Sequence, residues 1–504
     1  MLDTSDKIIL DECREKVDEK YVGFRPNGDS IKPVHVANGA MRIIYGKYSI
    51  SLKIKRLALV CNAKGIVPKG NELHQVYEFL KTENRIDEGI DENSLESLRN
   101  VMQKILSADK GVYVVNGLKD TMLSYTAGSS YFLTNYSMYE DAGEFIGGVI
   151  KKWCPDLSNH IKSILSQRKD SISLLFSPVT DDSDEEMEDF QGGNRHDELP
   201  IFKNTHNKNM EWFLSGLRDS GTCLSKNFKT QSNPLMQLRL FNFFCIFQLM
   251  RYMTMLETFY CDEPIRPILL DFSGKTPSKS SVARASEISY IQMHKAINRF
   301  YAWAYAQWLK DDGRKKKDLL RCEAPDYKKS KGKNAKATNE ELDTLWTLAK
   351  ERIEDASLSD DDARLIFGET MYDMLALQAT SHPVNYLRKL CTSSGILYPP
   401  DNLHPNKRFV LSQDVLETLI RSCVMPGEVI SERDIRERFW KRFGIIIGGS
   451  QFELDKIRQS GMIMQVDEDA LETNFDDFAT ALESMDFAEK LADGILQIRL
   501  GGLQ

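Results

Sequence analysis

The chain holds nine cysteines and eight histidines, and their spacing limits what they can do. The cysteines stand at 13, 61, 154, 223, 245, 261, 322, 391 and 423, and no two form a CxxC pair. Cys245 lies between Phe243, Phe244, Ile246 and Phe247. An odd number, wide spacing and apolar neighbours fit buried, reduced thiols of a cytoplasmic protein. A zinc site requires clustered ligands, and no such cluster is present in the sequence. The histidines form neither HExxH nor HxH, and no GxSxG occurs. His196 and His206 lie near an acidic run and His294 lies in a helical pattern, so each reads as structural or solvated.

Two further patterns fall short of a reaction. Gly274-Lys275-Thr276 follows an apolar run, as in a phosphate loop, but Leu269 stands where that loop needs its first glycine. Pro277 also interrupts the helix that should follow. Weak phosphate contact by Lys275, Lys279 and Arg284 asks less of the backbone. Asp326-Tyr327-Lys328, with Asp311 or Asp318 upstream, is a loose form of the acid-x-Lys nuclease pattern. Such nucleases hold these groups on a sheet, whereas this stretch reads as a charged linker. The sequence therefore assigns no catalytic, cofactor or metal residue. A metal-dependent nuclease with an unfamiliar site is the alternative to a non-catalytic role.

Binding residues are easier to nominate. The whole chain carries 66 Lys+Arg against 74 Asp+Glu, a net charge of −8, so it exerts no general attraction on a polyanion. Residues 310–336 nevertheless hold eleven Lys or Arg against five acids, including Lys315, Lys316 and Lys317. With Gly313, Pro325 and Gly332 this segment reads as mobile, and it could grip nucleic-acid backbone by counterion release. A second island, Arg433, Arg436, Arg438, Lys441 and Arg442, lies on one predicted helix, with Lys456 and Arg458 on the next. The nucleic-acid-binding candidates are Lys315, Lys316, Lys317, Arg433, Arg436, Lys441, Arg442, Lys456 and Arg458.

The elements that carry these residues follow from periodicity and punctuation. A length of 504 residues predicts about three domains, with enough chain to bury cores without disulfides. Residues 1–178 mix strands and helices, including a period-2 strand from Tyr48 to Ile54 and short apolar strands near 112–115 and 172–176. Residues 179–207 are an acidic linker with seven acids between 181 and 190. That run could also mimic phosphate and cover a basic surface. Residues 208–312 form a helical core, with 236–260 apolar nearly all round. The apolar run 240–250 is too short to span a bilayer, which takes about 20 residues. The first residues show no basic, apolar leader pattern. Residues 313–338 are the basic linker, 339–408 continue the helices, and 409–504 form a last domain expected to fold by itself.

The last domain has a readable plan: helices near 413–423, 434–443 and 451–459, a strand at 462–466, a helical region at 468–491 and a final strand at 495–500. Three short helices with strands resemble a winged helix, here with helices between the strands. That resemblance implies that the third helix, with Ser450, Gln451, Lys456, Arg458 and Gln459, faces DNA. Asp467, Glu468, Asp469, Glu472, Asp476, Asp477, Glu483 and Asp486 would repel DNA from the same side, so partner docking is the competing role. The fold class is therefore mostly α with a mixed α+β N-terminal region, in several domains, ending in a winged-helix-like one. The plan from about 208 onward also resembles the accessory proteins of bacterial antiviral defence operons of the Druantia or phosphorothioation-restriction kind. This implies a non-catalytic subunit beside a helicase or nuclease, with protein partners, possible DNA contact and no membrane.

Overall fold

The computed structural model describes residues 8, 10–26, 33–49, 71–100 except 83, 85, 88, 98 and 99, 141–167, 187–190, 195–325 except 205, 339–377, 382–400, 406–461, 466–492 and 495–500. The expected strands near 112–115 and 172–176, most of the strand from Tyr48 to Ile54, the acids at 181–186 and the basic residues at 328–336 lie outside them. The described chain is mostly helical.

The hub is the helix α7, Pro234–Thr254, if the helices are counted α1 Leu10–Val17, α2 Pro33–Tyr45, α3 Glu72–Thr82, α4 Ala142–Trp153, α5 Pro155–Gln167 and α6 Lys208–Thr230. Its apolar run is buried on every side, as the lack of a polar stripe predicts. Asn233 caps it by accepting from the Leu235 and Met236 N–H groups, and Pro234 occupies the first turn. The chain then breaks at Met255 before a short helix, α8 Leu256–Cys261. Around α7 pack α2, α4 and the 31-residue helix α9, Ser281–Asp311. One connected apolar core runs from Ile8 to Leu500.

Next come α10 Lys316–Arg321, α11 Asn339–Ile353, α12 Asp360–Ala376 and α13 Pro383–Ser393. Helix α12 lies along α9 and needs Gly368 to do so, because a Cβ there would collide with the Ala302 carbonyl. Strand β1, Lys47–Ser49, pairs antiparallel with β2, Met187–Asp189, placing Lys47 opposite Asp189. The end of the acidic run is thus tied to the N-terminal region, and the Arg42 guanidinium covers the Phe190 ring at 4.8 Å. No described helix is long and apolar enough to cross a membrane.

The C-terminal region contains β4 Leu397–Tyr398, β5 Arg408–Phe409, α14 Gln413–Arg421, β6 Val429–Ser431, α15 Glu432–Phe443, β7 Ile445–Ile446, α16 Gln451–Gln459, α17 Glu468–Ser484, β8 Ala488–Lys490 and β9 Leu496–Arg499. Strands β6, β9 and β8 form one antiparallel sheet in that order. The region is stitched to the helical core. Strand β7 pairs in parallel with β3, Ile268–Leu269, which precedes α9. Asp271 and Arg408 form a buried ion pair at 2.6 Å. The Asn227 amide donates to the carbonyls of Arg421 and Val424 at 2.7 and 2.8 Å.

Asn474 on α17 completes the seam. Its amide donates to the Leu270 and Ile447 carbonyls at 3.0 and 2.6 Å, and its carbonyl accepts from the Phe272 N–H at 2.7 Å. One side chain thus satisfies buried backbone groups at the ends of both β3 and β7. Asn474→Ala is expected to cost about 3 kcal/mol, because three backbone groups lose their partner. Urea unfolding would measure this, and a cost below about 0.5 kcal/mol would remove Asn474 from this role.

Candidate functional site

The nine nominated cations sit on or beside three helices, α10, α15 and α16. The segment beginning at Lys315 departs from the mobile linker expected from its composition. Leu319 is fully buried, α10 packs against α11 and α12, and the Trp346 indole donates to the Cys322 carbonyl at 3.1 Å. Charge counting misses this because one buried leucine anchors the turn. The Asp318 carboxylate accepts from the Lys315 N–H at 3.0 Å. The Lys316 ammonium donates to the carbonyls of Asp355 and Leu358 at 2.5 and 3.3 Å, and its N–H donates to Asp360 at 3.0 Å. Lys316 therefore holds the α11–α12 turn, while Lys315 and Lys317 face solvent.

The expected consequence separates these lysines. Lys316→Ala should lower stability by about 1 kcal/mol, since a charged donor leaves two carbonyls. Lys315→Ala with Lys317→Ala should leave stability within about 0.5 kcal/mol of the parent and weaken binding to duplex DNA equally for all sequences, because lysines at a surface turn read phosphate. Thermal melts and gel shifts at several salt concentrations check both halves.

Helix α15 begins in a reciprocal cap. The Ser431 hydroxyl and N–H meet the Asp434 carboxylate at 2.7 and 3.0 Å, and the Asp434 N–H returns to Ser431 at 3.2 Å. These bonds hold the Asp434 carboxyl below its usual range. Most of the helix's cations are then used within the protein. Arg438 makes a bidentate pair with Glu428 at 2.8 and 2.7 Å and donates to the Cys423 carbonyl at 2.7 Å. Arg442 donates to the Ser422 carbonyl. Arg433 and Lys441 remain well exposed but both meet Glu437, at 3.0 Å each.

Arg436 is the centre of the region. It is 97% hidden from solvent, being only 3% exposed. Its guanidinium meets Glu432 at 2.6 Å, Glu453 at 2.5 Å and Glu472 at 3.0 Å, and lies 3.7 Å from the Phe475 ring centre. Burial opposes its charge, but Glu453 and Glu472 overcome this and raise it above the usual arginine value. The carboxylates also serve the loop before α16. Glu453 accepts from the Ile447 and Gly448 N–H groups at 2.9 and 3.0 Å and from the Ser450 hydroxyl at 2.8 Å. Glu472 accepts from the Gly449 N–H at 2.9 Å. A Cβ at residue 448 would collide with the Arg436 guanidinium, so a side chain there would have to displace it.

On α16, Lys456 lies over Trp440 and Phe452 at 5.7 and 5.5 Å, and exposed Arg458 meets Asp455 at 3.4 Å. Sequence reasoning missed Glu453 and named Glu472 only as an acid that would repel DNA, not as a partner of Arg436. The Ser450-x-x-Glu453 spacing was a legible signal of a helix start, whereas Glu472 becomes a neighbour only through the packing of α17.

Of the other nominated groups, Gly274-Lys275-Thr276 lies in the loop after β3. Helix α9 starts only at Ser281, capped by Ser280, and the Lys275 carbonyl is held by Arg408. Lys275 is exposed, but the helix does not open behind it as in a phosphate loop. Asp326 lies outside the described residues. Among the described residues no group of three or more His, Cys, Asp or Glu could hold a metal ion. The described cysteines are free thiols, and burial pushes Cys13, Cys154, Cys261 and Cys423 up to about 12, which removes nucleophilic character at neutral pH. No family model, characterised protein or solved structure matches the chain.

Proposed function

We propose that the protein is a non-catalytic accessory subunit of a DNA-processing assembly, of the antiviral-defence kind, that joins its partners through a winged-helix-like C-terminal module. The observation that carries the docking role is the inward use of Arg436, Arg438 and Arg442, which leaves α15 with few cations for phosphate. The element order supports the winged-helix resemblance with one change: the helix ahead of the β8–β9 hairpin is α17 rather than α16. Exposed Glu468, Asp469, Glu472, Asp476, Asp477 and Glu483 make α17 repel a polyanion. Lys315 and Lys317 would supply weak, sequence-independent DNA contact beside the main docking role.

The test uses the full chain, tagged and recovered from its native host. The expected result is a defined complex with a DNA-processing enzyme that survives Lys315→Ala with Lys317→Ala and is lost on reversing Asp476 and Asp477 to Lys. Incubation of the purified chain with plasmid, single-stranded DNA and RNA plus magnesium or manganese decides the alternative. Metal-dependent cleavage abolished by Asp326→Ala would replace this reading with a nuclease.

A further inference from the structure

We infer that the small cavity between α7, α9 and α13 binds a chloride-sized monovalent anion through Arg388, Tyr290 and His294. The inference is independent of the docking reading above. Tyr290 and His294 lie one turn apart on α9 with ring centres 5.2 Å apart, and Arg388 lies on α13. All three line the cavity, together with Met250 of α7 and Phe409 of β5. Three polar atoms there are shut off from water and have no hydrogen-bond partner among the described residues: the Tyr290 hydroxyl, Nε2 of His294 and Nε of Arg388. Tyr290 as a whole is only 5% exposed. Burial pushes its phenol up and Arg388 pulls against this, which places the guanidinium near the hydroxyl. Buried donors without partners are costly, and cavities that stay dry are lined by apolar groups.

Charge and size together select the occupant. No Asp or Glu lines the cavity, and Arg388, half-buried, forms no ion pair among the described residues. The charged neighbours of His294 are His382 and Arg388, and those of His382 are Arg14 and Arg388, so repulsion adds to burial in holding both imidazoles neutral. Of the other polar groups in the lining, Thr254 gives its proton to the Arg251 carbonyl, and burial keeps the Cys391 thiol protonated. At neutral pH the site therefore offers one cation and three donors, with His294 in its Nε2–H tautomer. A water would leave the guanidinium without a counter-charge, whereas an anion accepts from all three donors and supplies it. The cavity has a volume of about 10 Å³, room for one water-sized species. Phosphate, sulfate and carboxylates are too large. A monovalent ion also gives up less hydration than a divalent one on leaving water. Met250 and Met293 form part of the wall, and their unbranched side chains adapt to an ion slightly larger than water. Bound there, the anion ties α9 to α13 beside the hub helix.

The probe is bromide. The full chain is dialysed into sodium gluconate, whose anion is too large to enter, and sodium bromide then replaces it at constant ionic strength and neutral pH. The thermal midpoint should rise and level off, the form expected for one site on the native state. Tyr290→Phe removes only an unpartnered hydroxyl, so in gluconate it should melt at or above the parent. In bromide it should fall below the parent and need about tenfold or more bromide for the same rise, the size of a lost hydrogen bond to a charged group. Arg388→Gln should abolish the saturable rise. A crystal grown in bromide should show an anomalous bromine peak between the three side chains.

A midpoint that ignores bromide, or drifts with it without levelling off, would overturn the inference. So would a saturable rise that neither variant alters, because the ion would then sit elsewhere. A Tyr290→Phe variant that melts below the parent by the same margin in both salts would also overturn it, since the hydroxyl would then act within the protein. If Arg388→Gln does not fold, the crossing of Tyr290→Phe and the parent between the two salts decides alone. A bromide crystal with only water in the cavity would replace the anion with a bridging water.

Discussion

Arg436→Ala is expected to lower stability by about 3–5 kcal/mol, because it leaves the Glu453 carboxylate buried without its counter-charge. Glu453 is 1% exposed, and its remaining partners are the Ile447 and Gly448 N–H groups and the Ser450 hydroxyl. Replacing both partners together, Arg436→Met with Glu453→Leu, should recover part of the loss, since an apolar pair of similar volume avoids the desolvation cost. The recovery will be incomplete because Glu453 also satisfies the loop before α16. Urea unfolding of the single and double variants, read as a double-mutant cycle, measures the coupling. A cost below about 1 kcal/mol for Arg436→Ala would show that the network is not closed in solution.

Acid should destabilise the protein before most carboxylates titrate. Burial pushes His294 from 6.5 down to about 4, with His382 and Arg388 adding repulsion. Burial does the same to His382, with Arg14 and Arg388 adding to it. The Tyr290 ring packs on His294 at 5.2 Å and the Tyr372 ring on His382 at 4.9 Å, so each imidazole has an aromatic ring against it in place of water. A histidine with a depressed folded pKa stays neutral in the native state while the unfolded chain gains a proton. Its stability contribution is therefore complete above about pH 6.5 and is lost as pH falls toward 4. Shifts of this size amount to roughly 3 kcal/mol per group at full effect. Thermal melts from pH 7 to pH 4 should show a decline that His294→Gln with His382→Gln flattens. A parent and a double variant with parallel pH profiles would exclude the histidines as the source.

The polar core follows the same logic in another form. Arg251 lies on α7, and burial pulls it down to about 9. It is held by the Phe213 carbonyl at 3.3 Å, by Gln248 at 3.4 Å and by the Trp212 and Phe213 rings at 4.6 and 4.8 Å. In the sequence Arg251 directly follows the apolar run 240–250, and arginine is among the residues least often fully buried. Packing of α6 across that end buries it instead.

Local rules were enough to locate most helices. The near-continuous apolarity of 236–260, the Ser359-Asp362 and Ser431-Asp434 caps, and Gly444 as a left-handed stop all act within one or two turns, so they can be read along the chain. The sequence also located the clustered positive charge on 310–336 and on α15. It could not decide whether that charge is available. Availability depends on partners far along the chain: Glu472 stands 36 residues from Arg436, Asp360 stands 44 from Lys316, and Asn474 stands 204 from Leu270. A charge count treats every arginine as solvated, whereas burial forces each one to find a carboxylate or carbonyl. By itself the sequence determined a mostly helical chain with a buried central helix, capped helix starts and cationic islands. Only the tertiary structure turned Arg436, Arg438 and Arg442 inward and tied the C-terminal region to the core through β3 and β7, because long-range packing decides which charges remain in water.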